Sequence, residues 1–290
     1  MSTDTTQPTP TTLEARAADS GANATAAFRK KQRTLEVPQE RVDAIATEAI
    51  EALHEVIRKH RLTYEEYDVL KSWLIQVGED GEWPLFLDVW FEHVVEDVNT
   101  DHRQGNKGSI EGPYYVPDSP EQGSHGTIPM RDDEPGEALT FQGQVRTTDG
   151  SALPHAKVEL WHADAGGFYS QYAPGLPEWN LRGTFTTDDE GRFEIHSIIP
   201  APYQIPTDGA CGKLIAAAGW HAWRPAHMHL KVSAPDHELL TAQLYFPGDP
   251  HNEDDIATSV KPELMLDPRP AADGQGQVVD YDFVIDPVRA

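Results

Sequence analysis

The chain predicts a mainly β protein with an N-terminal helical part: a β-sandwich domain preceded by an α-helical one. Three observations predict it. Between Pro38 and Val95, apolar residues recur mostly at spacings of three and four, the period of a helix face. From Leu139 onward the texture changes to short β-like runs separated by turn signals roughly every ten residues. Between them, residues 99–139 show no period and are dominated by Gly, Pro, Asp and Ser. Short strands without intervening helices suggest a sandwich rather than alternating β and α units.

Three parts follow. Residues 1–25 are rich in Thr, Ala, Ser and Pro, bury too little to order themselves, and are expected to be a disordered tail. Residues 26–105 form the helical part. Its first helix, from Pro38, carries Val42, Ile45, Ile50, Leu53, Val56 and Ile57. A second starts at the Thr63-Tyr-Glu-Glu66 capping box and ends at Gly78. A third starts at Pro84 and runs through Leu85, Phe86, Val89, Trp90, Phe91, Val94 and Val95. It is apolar on more than one side, so it is expected to be buried under the next domain, against a second subunit, or both, and a simple three-helix core is compatible with either.

Residues 106–290 form the β part. It opens with a long ordered loop whose one apolar knot is Ile110-Glu-Gly-Pro-Tyr-Tyr-Val116; loops this long in compact proteins are usually functional. Strands are expected at 139–145, 156–162, 183–187, 192–199, from His227, at 239–246 and at 278–285.

Composition narrows the function. The net charge is −25, from 48 acidic and 23 basic residues, which argues against nucleic acid and anionic membranes as partners. A single cysteine, Cys211, allows no intrachain disulfide and suits a reducing cytoplasm. No secretory leader is visible, and no window approaches the ~20 apolar residues of a membrane span.

The chemistry gathers around Trp223-Arg-Pro-Ala-His-Met-His-Leu-Lys-Val232. In a strand, His227 and His229 point one way while Met228, Leu230 and Val232 point into a core. Two imidazoles one strand step apart can share Zn, Cu, Fe or Ni, and they also suit half-buried histidines bonded to carbonyls. Two tyrosines are the second clue: Tyr169 after the Gly166-Gly167 turn, and Tyr203 in Pro200-Ala-Pro-Tyr-Gln-Ile-Pro206. A phenol ionises near pH 10, so only a strong Lewis acid makes it a ligand at neutral pH. Taken alone, both also suit a core or a turn.

From Phe141 to Tyr169 the chain reads Phe-x-Gly143-x-Val145-x4-Gly150-x2-Leu153-x4-Val158-Glu-Leu160-x6-Gly167-x-Tyr169. This resembles the signature of the intradiol ring-cleavage dioxygenases. Arg224-Pro-Ala-His-x-His229 and Pro202-Tyr-Gln-Ile-Pro206 resemble the same family, and the likeness extends over residues 40–290. The N-terminal helices, with Gly81-Glu-Trp-Pro-Leu-Phe-Leu-Asp88, Ile110-Glu-Gly-Pro-Tyr114 and Trp179-Asn-Leu-Arg-Gly183, resemble its catechol and chlorocatechol branch, in particular actinobacterial catechol 1,2-dioxygenases.

The resemblance implies one non-haem Fe(III) per chain, held by Tyr169, Tyr203, His227 and His229, with Tyr203 leaving the metal when substrate binds. It places the active-site arginine at Arg224 and the glutamine at Gln243, after Ala242, where the family often has threonine. It sets Leu85, Asp88, Val89, Ile110, Pro113 and Tyr114 along the substrate pocket. The implied activity is cleavage of catechol by O2 to cis,cis-muconate in aromatic-compound degradation. It also implies a homodimer through the N-terminal helices, with a lipid-like molecule between them. Chlorocatechol and hydroxyquinol are the nearer alternative substrates, with Asp88, Ile110 and Ala257 deciding among them; a non-enzymatic metal-binding sandwich is the remoter alternative. His162 and Cys211 read as structural, and His221 and His251 have no partner pattern.

Overall fold

The computed structural model describes residues 36–289. The expected tail at 1–25, and the first ten residues of the expected helical part, lie outside them.

Four helices open the described chain. Helix α1 (Gln39–His60) ends at Arg61, whose φ of 53° turns the chain sharply, and it has no buried residue. Helix α2 (Tyr64–Glu79) starts with the expected capping box: Glu66 N–H donates to Thr63 Oγ1 at 3.2 Å, and Thr63 N–H to Glu66 Oε2 at 2.8 Å. It runs through Gly78; the corner is made instead at Gly81, where φ is 70°. The single third helix expected from Pro84 is two helices, α3 (Trp83–Trp90) and α4 (Glu92–Thr100), because Phe91 leaves helical geometry at φ −128°. Beyond the break, the Glu92 carboxylate accepts the N–H groups of Glu111 and Gly112 at 2.8 and 3.1 Å and so anchors the Ile110–Tyr114 knot.

The remainder is a two-sheet sandwich. One sheet has the order β1 (Glu121–Gln122), β5 (Arg182–Thr186), β4 (Lys157–His162), β9 (His227–Ser233), β10 (Leu240–Tyr245). The other has the order β11 (Arg269–Pro270), β12 (Gln277–Asp280), β3 (Ala138–Thr147), β6 (Arg192–Ile198), β2 (His125–Thr127), with β13 (Phe283–Ile285) also on β3. The edge strands β1 and β2 are two and three residues long, too short to show a period in the 99–139 stretch. Phe141, Phe193 and Phe283 pack with Val158, Leu160, Met228, Leu230 and Leu244 as one buried core. The strand expected at 278–285 is broken, since β12 and β13 pair with successive halves of β3. Gly143 sits at the break: a Cβ there would lie 1.9 Å from the Tyr281 carbonyl, so only glycine lets the two chains approach.

An excursion between β6 and β9 carries the structure least visible in the sequence. Strand β7 (Tyr203–Gln204) pairs antiparallel with β8 (Trp223–Arg224), which sets Tyr203 opposite Arg224. Helix α5 (Ala210–Ala218) fills the connection and ends at Gly219, with φ 69°. Gly209, Gly212 and the Pro-rich run before them read as loop, which hides this helix.

His162, at the end of β4, is buried; its Nδ1 lies 2.7 Å from the Ala163 carbonyl and its Nε2 2.7 Å from Ser197 Oγ on the opposite sheet. Burial pushes its pKa down from 6.5 to about 4. The unfolded chain therefore binds a proton that the fold refuses between those values. The stability this group contributes is present above its unfolded pKa and is lost as pH falls toward the folded one. Wild type should lose about 2 kcal/mol through this group between pH 7 and pH 5. Urea denaturation at both pH values should show a shallower pH dependence for His162→Gln; equal dependence would remove this role.

Candidate metal centre

Strand β9 alternates as its sequence demands. Met228, Leu230 and Val232 enter the sandwich core, and His227 and His229 face out of it, both buried. Their Nε2 atoms lie 3.1 Å apart. Strand register fixes their flanks: Gln243 and Trp161 lie opposite His229, and Tyr245 lies opposite His227. The Trp161 ring stacks on His229 at 4.8 Å and 12°. His227 Nδ1 bonds the Pro225 carbonyl at 2.7 Å, which turns its Nε2 lone pair toward His229.

Tyr169 arrives from the loop after β4. Asp164 shapes that loop by accepting the N–H groups of Gly166 and Phe168 at 2.9 and 3.0 Å. Gly167, at φ +82°, packs on the Tyr203 loop so closely that a Cβ would come within 2.9 Å of Tyr203 Cβ. The two tyrosine loops therefore brace each other. Tyr169 Oη lies 3.1 Å from His229 Nε2, the two tyrosine rings are 5.4 Å apart, and Tyr203 sits 5.6 Å from the His227 ring. Four residues from three separate segments thus meet in one buried place.

Burial is the leading electrostatic force on all four groups. It pushes both phenols up, Tyr169 well above its ordinary range, with the Arg224 charge opposing the shift in each. It pushes both imidazoles down; the Arg224 charge adds to the shift at His227, and His227 and Arg224 add to it at His229. The imidazoles keep their lone pairs, and the phenols stay neutral unless a strong positive charge enters. Two phenol oxygens and two imidazole nitrogens converging in this way can hold a hard, highly charged cation.

Arg224 is buried against the Asp255 carboxylate, with Nε to Oδ1 at 3.1 Å and Nη2 to Oδ2 at 3.2 Å. It also donates to Gln243 Oε1 at 2.8 Å, to Ser259 Oγ at 2.6 Å and to His227 Nε2 at 3.3 Å. Burial is the largest single influence and opposes its charge, but Asp255, Tyr203 and Tyr245 together hold its pKa above the ordinary guanidinium value. Gln243 donates to the Ile110 carbonyl at 3.0 Å, lies 3.2 Å from His229 Nδ1, and accepts from Tyr245 Oη at 2.8 Å. Leu85, Val89, Ile110 and Tyr114 share one buried cluster with Tyr169, Tyr203, Ile205, Cys211, Ile215 and Ala257. Tyr114 stacks on Tyr169 at 4.6 Å. Asp88 and Pro113 are half-buried and are not part of that cluster.

Sequence reasoning missed Asp255, Ser259 and Tyr245. Asp255 closes the run Glu253-Asp-Asp255, which looks like a solvated turn, and no local pattern marks its last carboxylate as buried. It also missed that His221 and His251 meet at Asp254. His221 Nε2 lies 3.2 Å from Asp254 Oδ2 and His251 Nδ1 lies 3.0 Å from Asp254 Oδ1. Their ligand atoms fall within 4.8 Å of one another. The Trp223 N–H donates to His221 Nδ1, which puts the ring proton of neutral His221 on Nε2, facing Asp254. The trio is thus bonded internally.

The family model described as Dioxygenase matches residues 110–287, and the one described as Catechol dioxygenase N terminus matches residues 39–107. The chain belongs to the intradiol ring-cleavage dioxygenases. It is 39% identical to chlorocatechol 1,2-dioxygenase of Rhodococcus opacus, over 84% of this chain and 97% of that protein. It is 34% identical to catechol 1,2-dioxygenase of Acinetobacter baylyi, over 78% and 76%. The crystal structure of 3-chlorocatechol 1,2-dioxygenase from Rhodococcus opacus 1CP superposes with a TM-score of 0.82 at 44% identity, covering 87% of this chain and all of that one. Among the described residues no helix is long and apolar enough to cross a membrane.

Asp255→Ala would leave Arg224 buried and unpaired. It should destabilise the fold by about 3–5 kcal/mol in urea denaturation. A loss below about 1 kcal/mol, the scale of an exposed pair, would show that the pair contributes as a surface bridge does.

Proposed function

We propose that this chain binds one ferric ion through Tyr169, Tyr203, His227 and His229 and uses it to cleave catechol between its hydroxyl-bearing carbons, giving cis,cis-muconate. The observation that carries this reading is the meeting of two phenols and two imidazoles against an apolar wall, with a paired arginine alongside. The donor set fits the ion, because two phenol oxygens supply the hard, anionic donors that a trivalent cation prefers. When bound, ferric iron supplies the Lewis acidity that draws electron density from a chelated diol and opens its ring to O2.

The chain's own residues do the rest. Leu85, Val89, Ile110 and Tyr114 receive the apolar ring and exclude water. Held as a phenolate by the bound cation, Tyr203 Oη would take one of the diol's two protons; it lies on a two-residue strand in a proline-rich loop and can turn without unravelling a sheet. Arg224, an obligate cation, stabilises negative charge that builds on the ring. Gln243 ties Arg224 to Ile110 and keeps that wall in register with the ligands.

Catechol is the reading that the sequence resemblance supports, and Ala257, fully buried in the wall, is one residue that would weigh it against a substituted ring. Chlorocatechol is the second reading, favoured by several relatives that are named chlorocatechol 1,2-dioxygenases. One substituent's fit is worth only ~1–3 kcal/mol, so turnover on catechol, 4-chlorocatechol and hydroxyquinol decides the ranking. The reading includes a homodimer through the N-terminal helices: α1 buries nothing within one chain, although Val42, Ile45, Ile50, Leu53, Val56 and Ile57 are apolar. A lipid-like molecule between the paired helices and a cytoplasmic location complete it.

Tyr169→Phe should lose iron. Tyr203→Phe should keep part of its iron and lose most turnover, since one diol proton then has no acceptor. Iron content and oxygen uptake on each variant check this. Wild-type turnover in Tyr203→Phe together with full iron in Tyr169→Phe would overturn the assignment.

A further inference from the structure

Helix α5 has no side-chain cap of its own, since its N-cap residue is Gly209. Its first free N–H groups are taken by the corner between α2 and α3. Asp80 Oδ2 accepts the Ala210 N–H at 3.0 Å, and Glu82 Oε2 accepts the Cys211 N–H at 2.8 Å. Trp73 Nε1 donates to the Ala210 carbonyl at 2.7 Å. Glu82 is 4% exposed, and a Cβ on Gly209 would lie 2.0 Å from its Oε1, so the carboxylate is seated in a notch that only glycine leaves open. Carboxylates at a helix N-terminus satisfy both the unpaired donors and the helix dipole.

This joint spans the two halves of the molecule. The corner that holds α5 continues directly into Leu85 and Val89, and α5 contributes Cys211 and Ile215 to the same buried cluster as Tyr203 and Ile205. Helix α5 is also the central part of the connection between β7 and β8, the strand pair that sets Tyr203 opposite Arg224. Whatever moves α5 therefore moves the frame of both residues.

We infer that Glu82 is a positioning residue: by capping α5 it holds the Tyr203–Arg224 strand pair and one pocket wall against the N-terminal helices. Without it α5 opens as a local unit while both sheets stay folded. The inference deepens the proposed function and rests on it for the identity of the substrate.

Cys211 reports on the joint directly, because it is buried and is the only thiol in the chain. The experiment measures its alkylation rate in the iron-loaded full chain at low denaturant, beside KM and kcat for catechol. In wild type the alkylation rate should respond to denaturant more weakly than global unfolding does, as local opening exposes less surface. Glu82→Ala should raise that rate about tenfold or more and raise KM severalfold more than it lowers kcat. Glu82→Gln keeps an acceptor for the Cys211 N–H and should restore most of the protection; if Glu82→Ala does not fold, Glu82→Asp, one methylene too short to reach that N–H, carries the test with the same expected rise. Wild-type alkylation that tracks global unfolding, or a Glu82→Ala or Glu82→Asp variant whose thiol protection and KM match wild type, would overturn the inference. Absence of catechol turnover in wild type would instead overturn the proposed substrate and leave the thiol result standing.

Discussion

The structure depends on one strand that serves two environments at once. β9 cannot slip by one residue, because that would put Met228 and Leu230 into the site and His227 and His229 into the sandwich core. Its pairing with β4 and β10 is therefore fixed by hydrophobic burial. The same register brings Trp161, Gln243 and Tyr245 beside the two histidines without further design. Arg224 enters three residues before His227, on a separate strand pair, and is locked there by Asp255. The core thus does the positioning, and the loops supply the remaining donors.

Burial gives the site its electrostatic character. Each of the four meeting groups is driven toward its neutral form, so the cluster carries little charge of its own. The permanent charges nearby are handled differently. Arg224 is paired with Asp255, whereas Arg182 is buried and held by the Tyr114 carbonyl, the Ser170 carbonyl and Ser170 Oγ, with its guanidinium 5.9 Å from the Tyr169 ring centre. Both arginines lie beside the tyrosine–histidine cluster.

What could be read from the sequence follows the range of each interaction. Met228 and His229 alternate because strand geometry is local, and Thr63–Glu66 cap a helix within one turn; both signals survive in a single sequence. The grouping of Tyr169, Tyr203, His227 and His229 was readable only through family resemblance, because nothing local says that two proline- and glycine-rich loops fold onto one strand. Asp255 and Glu82 were not readable. Each looks like a surface carboxylate, and each becomes buried through a partner far along the chain, Arg224 in one case and the α5 N-terminus in the other. The breaks at Phe91 and Tyr281 are tertiary as well: apolar or alternating patterns continue through both, and packing against distant segments decides where the element ends.

The most direct test of the central claim is the iron content of the purified protein, read together with its visible spectrum before and after anaerobic catechol. The account predicts about one iron per chain, given its donor set. It also predicts a broad phenolate-to-iron absorption band that changes when catechol binds. A colourless protein holding zinc, or an iron-loaded protein whose band ignores catechol, would contradict it.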